Sequence, residues 1–111
     1  LLNKLRKREQ FVALNKTAVK IVTKGIVVQA KPNNLNFTRF GFTATKKLGN
    51  AVIRNRAKRR LRAIAQTVSK DINPIGYDFV FIARTHTLTR EFTGLLKDAK
   101  YAVYTTLTNK N

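Results

Sequence analysis

The sequence predicts an α/β two-layer sandwich, a four-stranded sheet with three helices on one side. Three observations predict it. Between Ala18 and Thr45, β-branched and alternating apolar residues come in short runs separated by turn residues. From Asn50 to Val68 the apolar residues recur at helical spacing. Asp78 to Arg84 is a short run that is apolar on both faces, the mark of a central strand.

Taken in order, Lys4 to Asn15 sets Leu5, Phe11, Val12 and Leu14 among charges, a short apolar face that predicts a short helix. Val19 to Thr23 and Ile26 to Ala30 flank a Lys24-Gly25 step and predict a tight hairpin. Lys31-Pro32-Asn33-Asn34 is a turn cluster. A third strand follows from Asn36 to Thr45, with Phe40, Phe42 and Ala44 on one face and Arg39, Gly41, Thr43 and Thr45 on a polar, open one. Lys46 to Gly49 is a loop, and Asn50 caps a helix whose stripe is Ile53, Ala57, Leu61, Ile64, Ala65 and Val68, ending before Asp71-Ile72-Asn73-Pro74. After the central strand, Arg90 to Thr106 forms a closing helix with Phe92, Leu95, Leu96, Ala99 and Val103 facing inward.

A chain of 111 residues with 43% hydrophobic composition makes one domain, residues 1–111, around a single core. Its charge points to the partner. Lys and Arg number 23 against 5 Asp and Glu, a net charge of +18, and such self-repulsion is tolerable chiefly where a polyanion neutralises it. From Gln10 to Lys70, 61 residues carry 14 Lys or Arg and no carboxylate. The absence of cysteine excludes a disulfide partner and a thiolate zinc site, and fits a reducing, cytoplasmic setting. No apolar run approaches the ~18–20 residues of a membrane span.

The informative segment is KKLGNAVIRNRAKRRLR, residues 46–62, with eight basic residues. On a helix Arg54, Lys58 and Arg62 form one ridge and Arg56 and Arg60 a second, both off the apolar stripe. Like charges at i, i+4 disfavour an isolated helix, so phosphate binding supplies the reason for them. Lys46 and Lys47 precede the helix start, where free backbone N–H groups and the positive end of the helix dipole also converge. The open face of the third strand, with Arg39, Thr43 and Thr45, is a second candidate surface, similar to sheets that accept splayed single strands.

No catalytic group is legible. Glu9, Asp71, Asp78, Glu91 and Asp98 are scattered, whereas metal-assisted cleavage needs clustered carboxylates. His86 is the lone histidine, in a polar Thr85-His86-Thr87 loop, and histidine-pair cleavage needs two. No metal-ligating set is expected. Chemistry on nucleic acid must therefore be carried mainly by another molecule.

The stretch Arg39-Phe40-Gly41, Lys46-Lys47-Leu48-Gly49-Asn50-Ala51-Val52-Ile53-Arg54-Asn55-Arg56-Ala57-Lys58-Arg59 and Arg62 closely resembles the signature RxGxxxxKKxGNAVxRNRxKRxxR of the bacterial ribonuclease P protein subunit. LRKREQF near the start resembles that family's first helix and YDFVFIAR its last strand, so the likeness covers roughly residues 5 to 105. The resemblance implies a left-handed β–α–β crossover, a departure from the usual rule. It also implies the function: binding the catalytic RNA and the single-stranded 5′ leader of precursor tRNA, in a bacterial, cytoplasmic ribonucleoprotein. The RNA subunit and Mg²⁺, held mainly by that RNA, would cleave the phosphodiester, and the protein alone would be inactive.

By position, the resemblance makes Lys46, Lys47, Asn50, Arg56, Lys58, Arg59 and Arg62 RNA-facing and puts Arg54 and Asn55 where helix and leader meet. Phe11, Val27, Thr43 and Thr45 fall in the leader cleft, with Gln29 and Arg39 beside them. Where better-known members carry a second aromatic on the first helix this chain has Asn15, and where some carry Tyr on the second strand it has Gln29. Phe11 is thus the aromatic kept in the cleft. The competing reading is a structural ribosomal RNA-binding protein, equally basic, from which the identity of the bound RNA would separate it.

Overall fold

The β-branched runs and the helical stripe form the elements expected of them, and the computed structural model, which describes residues 2–108 apart from the side chains of residues 15–17, adds a strand and a helix. The elements are β1 (Asn3–Lys4), α1 (Arg8–Thr17), β2 (Val19–Val22), β3 (Ile26–Pro32), β4 (Arg39–Thr43), α2 (Ala51–Ile72), β5 (Tyr77–Ala83), α3 (Thr85–Thr89) and α4 (Phe92–Thr108). A single turn of 3-10 helix, Lys46–Leu48, precedes α2. The described residues thus make five strands and four helices, not four and three. The class of fold stands.

The sheet order is β1-β4-β5-β3-β2. β2 and β3 are the expected hairpin, closed where Thr23 N–H donates to Ile26 O at 2.9 Å. β5 runs antiparallel to β3 and parallel to β4, so α2 is the crossover of a β–α–β unit. Its central place explains its composition, because Phe79, Val80 and Phe81 are all buried and so cover both faces of the sheet.

On one face Ile26, Val28, Ala30, Phe40, Phe79 and Phe81 meet Ala57, Leu61, Ile64, Ala65 and Val68 of α2 and Leu95, Ala99, Ala102 and Val103 of α4. Phe40 stacks on Phe79 at 5.6 Å and meets Phe81 edge-on at 5.7 Å, the geometries aromatic pairs prefer. The expectation of helices on one side alone is corrected by α1. Leu5, Phe11, Leu14 and Ala18 pack against Val80 and Ile82 on the opposite face. The apolar underside of β5 requires such a cover.

Several boundaries also differ, each for a local reason. α1 starts at Arg8, not Lys4, because Asn3 and Lys4 pair in parallel with Arg39 and Phe40, and the N–H groups of Arg6 and Lys7 both donate to Gln10 Oε1 at 3.0 Å. β4 is shorter than residues 36–45, since Thr45 O already accepts from Leu48 N–H in the 3-10 turn. α2 runs on to Ile72 and stops at Asn73, whose left-handed backbone (φ 52°, ψ 58°) lets its N–H reach Ser69 O before Pro74. Phe92 opens α4 and is exposed instead of facing in. The Thr85-His86-Thr87 segment is helical because Thr87 is buried, accepting from Arg84 N–H at 2.8 Å and donating to Gly25 O. His86 is exposed, as its polar surroundings predict.

Candidate nucleic-acid interface

The basic segment is organised by one cap. Asn50 Oδ1 accepts from Ile53 N–H at 3.0 Å, so this residue, expected to face RNA, commits its carbonyl to starting α2. Gly49 precedes it at φ 151°, a conformation that favours glycine, and a Cβ there would lie 2.9 Å from Ile53 Cδ1. Lys46 and Lys47 are exposed in the turn that leads into this N-terminus.

Along α2, Val52, Asn55, Lys58, Arg59 and Arg62 line a shallow groove of about 440 Å³. Their spacing of three and four residues puts them on one face, away from the Ala57–Val68 stripe. Arg54, half-buried, and Arg56, exposed, do not line it. The two expected ridges are therefore redrawn. Arg60 leaves the second, because its Nη1 donates to Thr87 O at 2.6 Å and ties α2 to α3. Arg62 lies with its guanidinium carbon 5.7 Å from the centre of the Phe42 ring, a cation–π contact that anchors the groove to β4, and its buried Nε has no hydrogen-bond partner.

Compensating charge is missing here. Three of the five carboxylates are paired elsewhere, Asp78 with Arg39, Asp98 with Arg90 and Asp71 with Lys100. None of these pairs, among the described residues, involves a cation from residues 46–62.

The second surface is the face of the sheet beneath α1. Register places Arg39, Asp78 and Lys31 in one row, Gly41, Val80 and Gln29 in the next, and Thr43, Ile82 and Val27 in the third. Phe11 stands over Gly41 so closely that a Cβ at that glycine would lie 2.6 Å from Phe11 Cε1. Phe11, Val27, Gln29 and Thr43 are therefore brought to one cleft, half-buried. Thr45 is not: it lies past the end of β4, exposed in the approach to the 3-10 turn. The side chain of Asn15 lies outside the described ones.

Arg39 shares the face but is already engaged. Its Nε and Nη2 donate to Asp78 Oδ1 and Oδ2 at 2.9 and 2.8 Å, a two-pronged pair that raises the guanidinium pKa, chiefly through those hydrogen bonds, with burial opposing and the carboxylate charge adding. Asn33 Nδ2 donates to the same Asp78 Oδ1 at 2.9 Å. Arg39 thus braces one end of the cleft, where Glu9, Gln10, Leu14 and Lys31 join Arg39 and Asp78 around a cavity of about 270 Å³. Sequence reasoning missed Val80 and Ile82 as the cleft floor. Their signal was present in a strand apolar on both faces.

A small α+β domain with an uncompensated cationic helix face, a lysine-bearing turn at its start and a second, partly aromatic cleft is a nucleic-acid-binding protein by class. The chain matches the profile of the Ribonuclease P family over residues 2–106. It is 43% identical over 103 residues to the ribonuclease P protein component of Ruegeria pomeroyi, covering 89% of this chain and 82% of that one. To that of Gluconacetobacter diazotrophicus it is 38% identical over 99 residues, covering 88% and 85%. The fold is similar to the solved ribonuclease P protein of Thermotoga maritima, at TM-score 0.76 and 25% identity over 90% of this chain and 94% of that one. It is also similar to that of Staphylococcus aureus, at TM-score 0.78 and 24% identity over 96% of each. The chain belongs to the ribonuclease P protein family.

Proposed function

We propose that the α2 groove, with Lys46 and Lys47, binds the catalytic RNA of ribonuclease P, and that the cleft between α1 and the sheet receives the 5′ leader of precursor tRNA. The chain is the protein component of bacterial ribonuclease P, the endoribonuclease of tRNA 5′ maturation. The observation that carries the assignment of surfaces is the unpaired cationic face of α2, where Lys58, Arg59 and Arg62 surround one groove with no carboxylate in the segment. Phosphate contacts fix register and orientation on a folded RNA. In the cleft, Phe11 offers a ring for stacking a base and Thr43 a hydroxyl, while Arg39 holds the end row in shape.

Family likeness also implies Mg²⁺. The described side chains do not fit a protein cage for it, because they hold no group of three or more His, Asp or Glu and three carboxylates are tied to cations. In this reading Mg²⁺ is held mainly by the RNA partner, whose phosphates supply the hard oxygen ligands it takes. The finer expectations, a left-handed β4–α2–β5 crossover and a cytoplasmic ribonucleoprotein, go with the family. No described helix is long and apolar enough to cross a membrane.

The test is reconstitution of the full chain with its cognate RNA at low Mg²⁺. Cleavage of precursor tRNA should require both components, with the protein lowering the Mg²⁺ requirement or raising substrate affinity. Robust cleavage by nuclease-free protein without RNA would refute the division of labour. Recovery of ribosomal RNA instead of one large non-ribosomal RNA with the purified chain would refute the partner.

A further inference from the structure

The outer face of α4 carries an exposed stripe that neither the α2 groove nor the cleft uses. Thr93, Lys97, Tyr101, Tyr104 and Thr108 follow at intervals of three or four residues and share one side of the helix, opposite the buried Leu95, Ala99, Ala102, Val103 and Thr106. Tyr101 is 62% and Tyr104 53% exposed. A large ring left in water next to a lysine calls for a reason beyond folding, since neither ring covers the core.

That stripe runs into a groove. Lys24 of the hairpin turn, His86 and Thr89 of α3, Arg90, and Thr93 and Lys97 of α4 line a hollow of about 450 Å³. Glu91 is the carboxylate among its lining residues. Asp98, behind it, is engaged by Arg90 Nε at 2.7 Å and by Gly25 N–H at 3.0 Å, so Arg90 is neutralised while Lys24 and Lys97 are left to face solvent. From Thr93 to Tyr104 the helix rises ~16 Å, a line on which threonine, lysine and two aromatic rings succeed one another.

We propose that this face of α4 is a second site for single-stranded RNA, with phosphates held at Lys24 and Lys97 and bases stacked on Tyr101 and Tyr104. Cationic groove and adjoining rings are the two parts that sequence-tolerant single-strand binding combines. A helix face that docks in a protein groove presents a run of apolar anchors at i, i+3, i+4 and i+7. Here the two tyrosines alone are apolar in part, and the other members of the stripe are Thr and Lys. Charge decides likewise, because a chain of +18 attracts polyanions.

The chain has three tyrosines and no tryptophan, so its intrinsic fluorescence reports the site directly. Tyr77, stacked on Phe79 at 5.7 Å, supplies a baseline. A short oligouridylate titrated into the full chain should quench tyrosine emission. Quenching should persist in a Lys58→Ala/Arg59→Ala chain, whose α2 groove is weakened, so failure there is distinguishable from failure of the α2 reading. Lys24→Glu/Lys97→Glu, which leaves both rings in place, should raise the midpoint roughly fivefold or more, the loss expected from two phosphate contacts. These residues are exposed, and unchanged thermal melting verifies the fold. A midpoint unmoved by the double charge reversal overturns the proposal. Absence of quenching at saturating oligonucleotide also overturns it, and leaves the stripe to a protein partner.

Discussion

Gly41→Ala probes how closely α1 is seated on the sheet. The new Cβ would lie 2.6 and 2.8 Å from Phe11 Cε1 and Cζ and 3.2 Å from Leu5 Cβ. Carbon atoms rest at ~3.5–4.0 Å, so the overlap with the ring is about 1 Å. Backbone cannot yield cheaply in a strand paired on both sides, whereas the half-buried ring can swing outward. Overpacking of this kind costs ~1–3 kcal/mol, which for a domain of this size lowers Tm by roughly 4–15 °C. The same displacement removes the ring from the cleft. Affinity for leader-bearing precursor tRNA should then fall relative to mature tRNA, by up to the ~1–3 kcal/mol of one stacked base. Phe11→Ala should reproduce that selective loss. Urea unfolding of the two single variants and the double variant closes a cycle, and the clash predicts a coupling of about 1 kcal/mol or more, because the methyl added at position 41 is accommodated once the ring is gone. Additive costs, or an unchanged ratio of the two RNA affinities in both single variants, would refute the placement of Phe11 as lid and stacking platform.

Other residues separate binding from stability. Lys58→Ala and Arg59→Ala, both in the α2 groove, should each make the slope of log K against log salt shallower by roughly 0.7–0.9 with the catalytic RNA, while Tm stays within a degree or two of the parent, as measured by filter binding and calorimetry. Arg39→Ala should do the reverse, costing ~1–3 kcal/mol by leaving the Asp78 carboxylate, 11% exposed, without its partner, with the salt slope intact. Asn50→Ala should cost about 1 kcal/mol through the lost cap and is checked by denaturant midpoint.

Legibility followed the physics of each signal. The Ala57–Val68 stripe and the alternation Phe40-Gly41-Phe42-Thr43 are periodic, and they gave α2, β4 and which residues share a face directly, although the face read as open lies beneath α1. What escaped was local or relational. β1 is two residues long and exists only because Arg39 and Phe40 offer a free edge. α3 is a helix because one threonine finds Gly25 O across 62 residues of chain. The side of the sheet that α1 covers was implicit in Val80 and Ile82, yet which partner would meet them depends on the chain's path. At the candidate site, charge marked the right helix, but counting charges does not reveal that Arg60, Arg39 and Arg62 are engaged with Thr87 O, Asp78 and Phe42.

The strand order carries a consequence for how the molecule is made. β5 separates β4 from β3 in space while following both in sequence, so the first 76 residues contain four strands that form two disconnected pairs. Joining them requires closing Arg39 against Asp78 across 39 residues, with α2 in between. Such distant pairing slows folding, since chain entropy is lost before contacts repay it. A nascent chain leaving the ribosome therefore presents the cationic α2 sequence to the cell before the strand that seats it has been synthesised, and the sheet is completed only by the last strand to emerge.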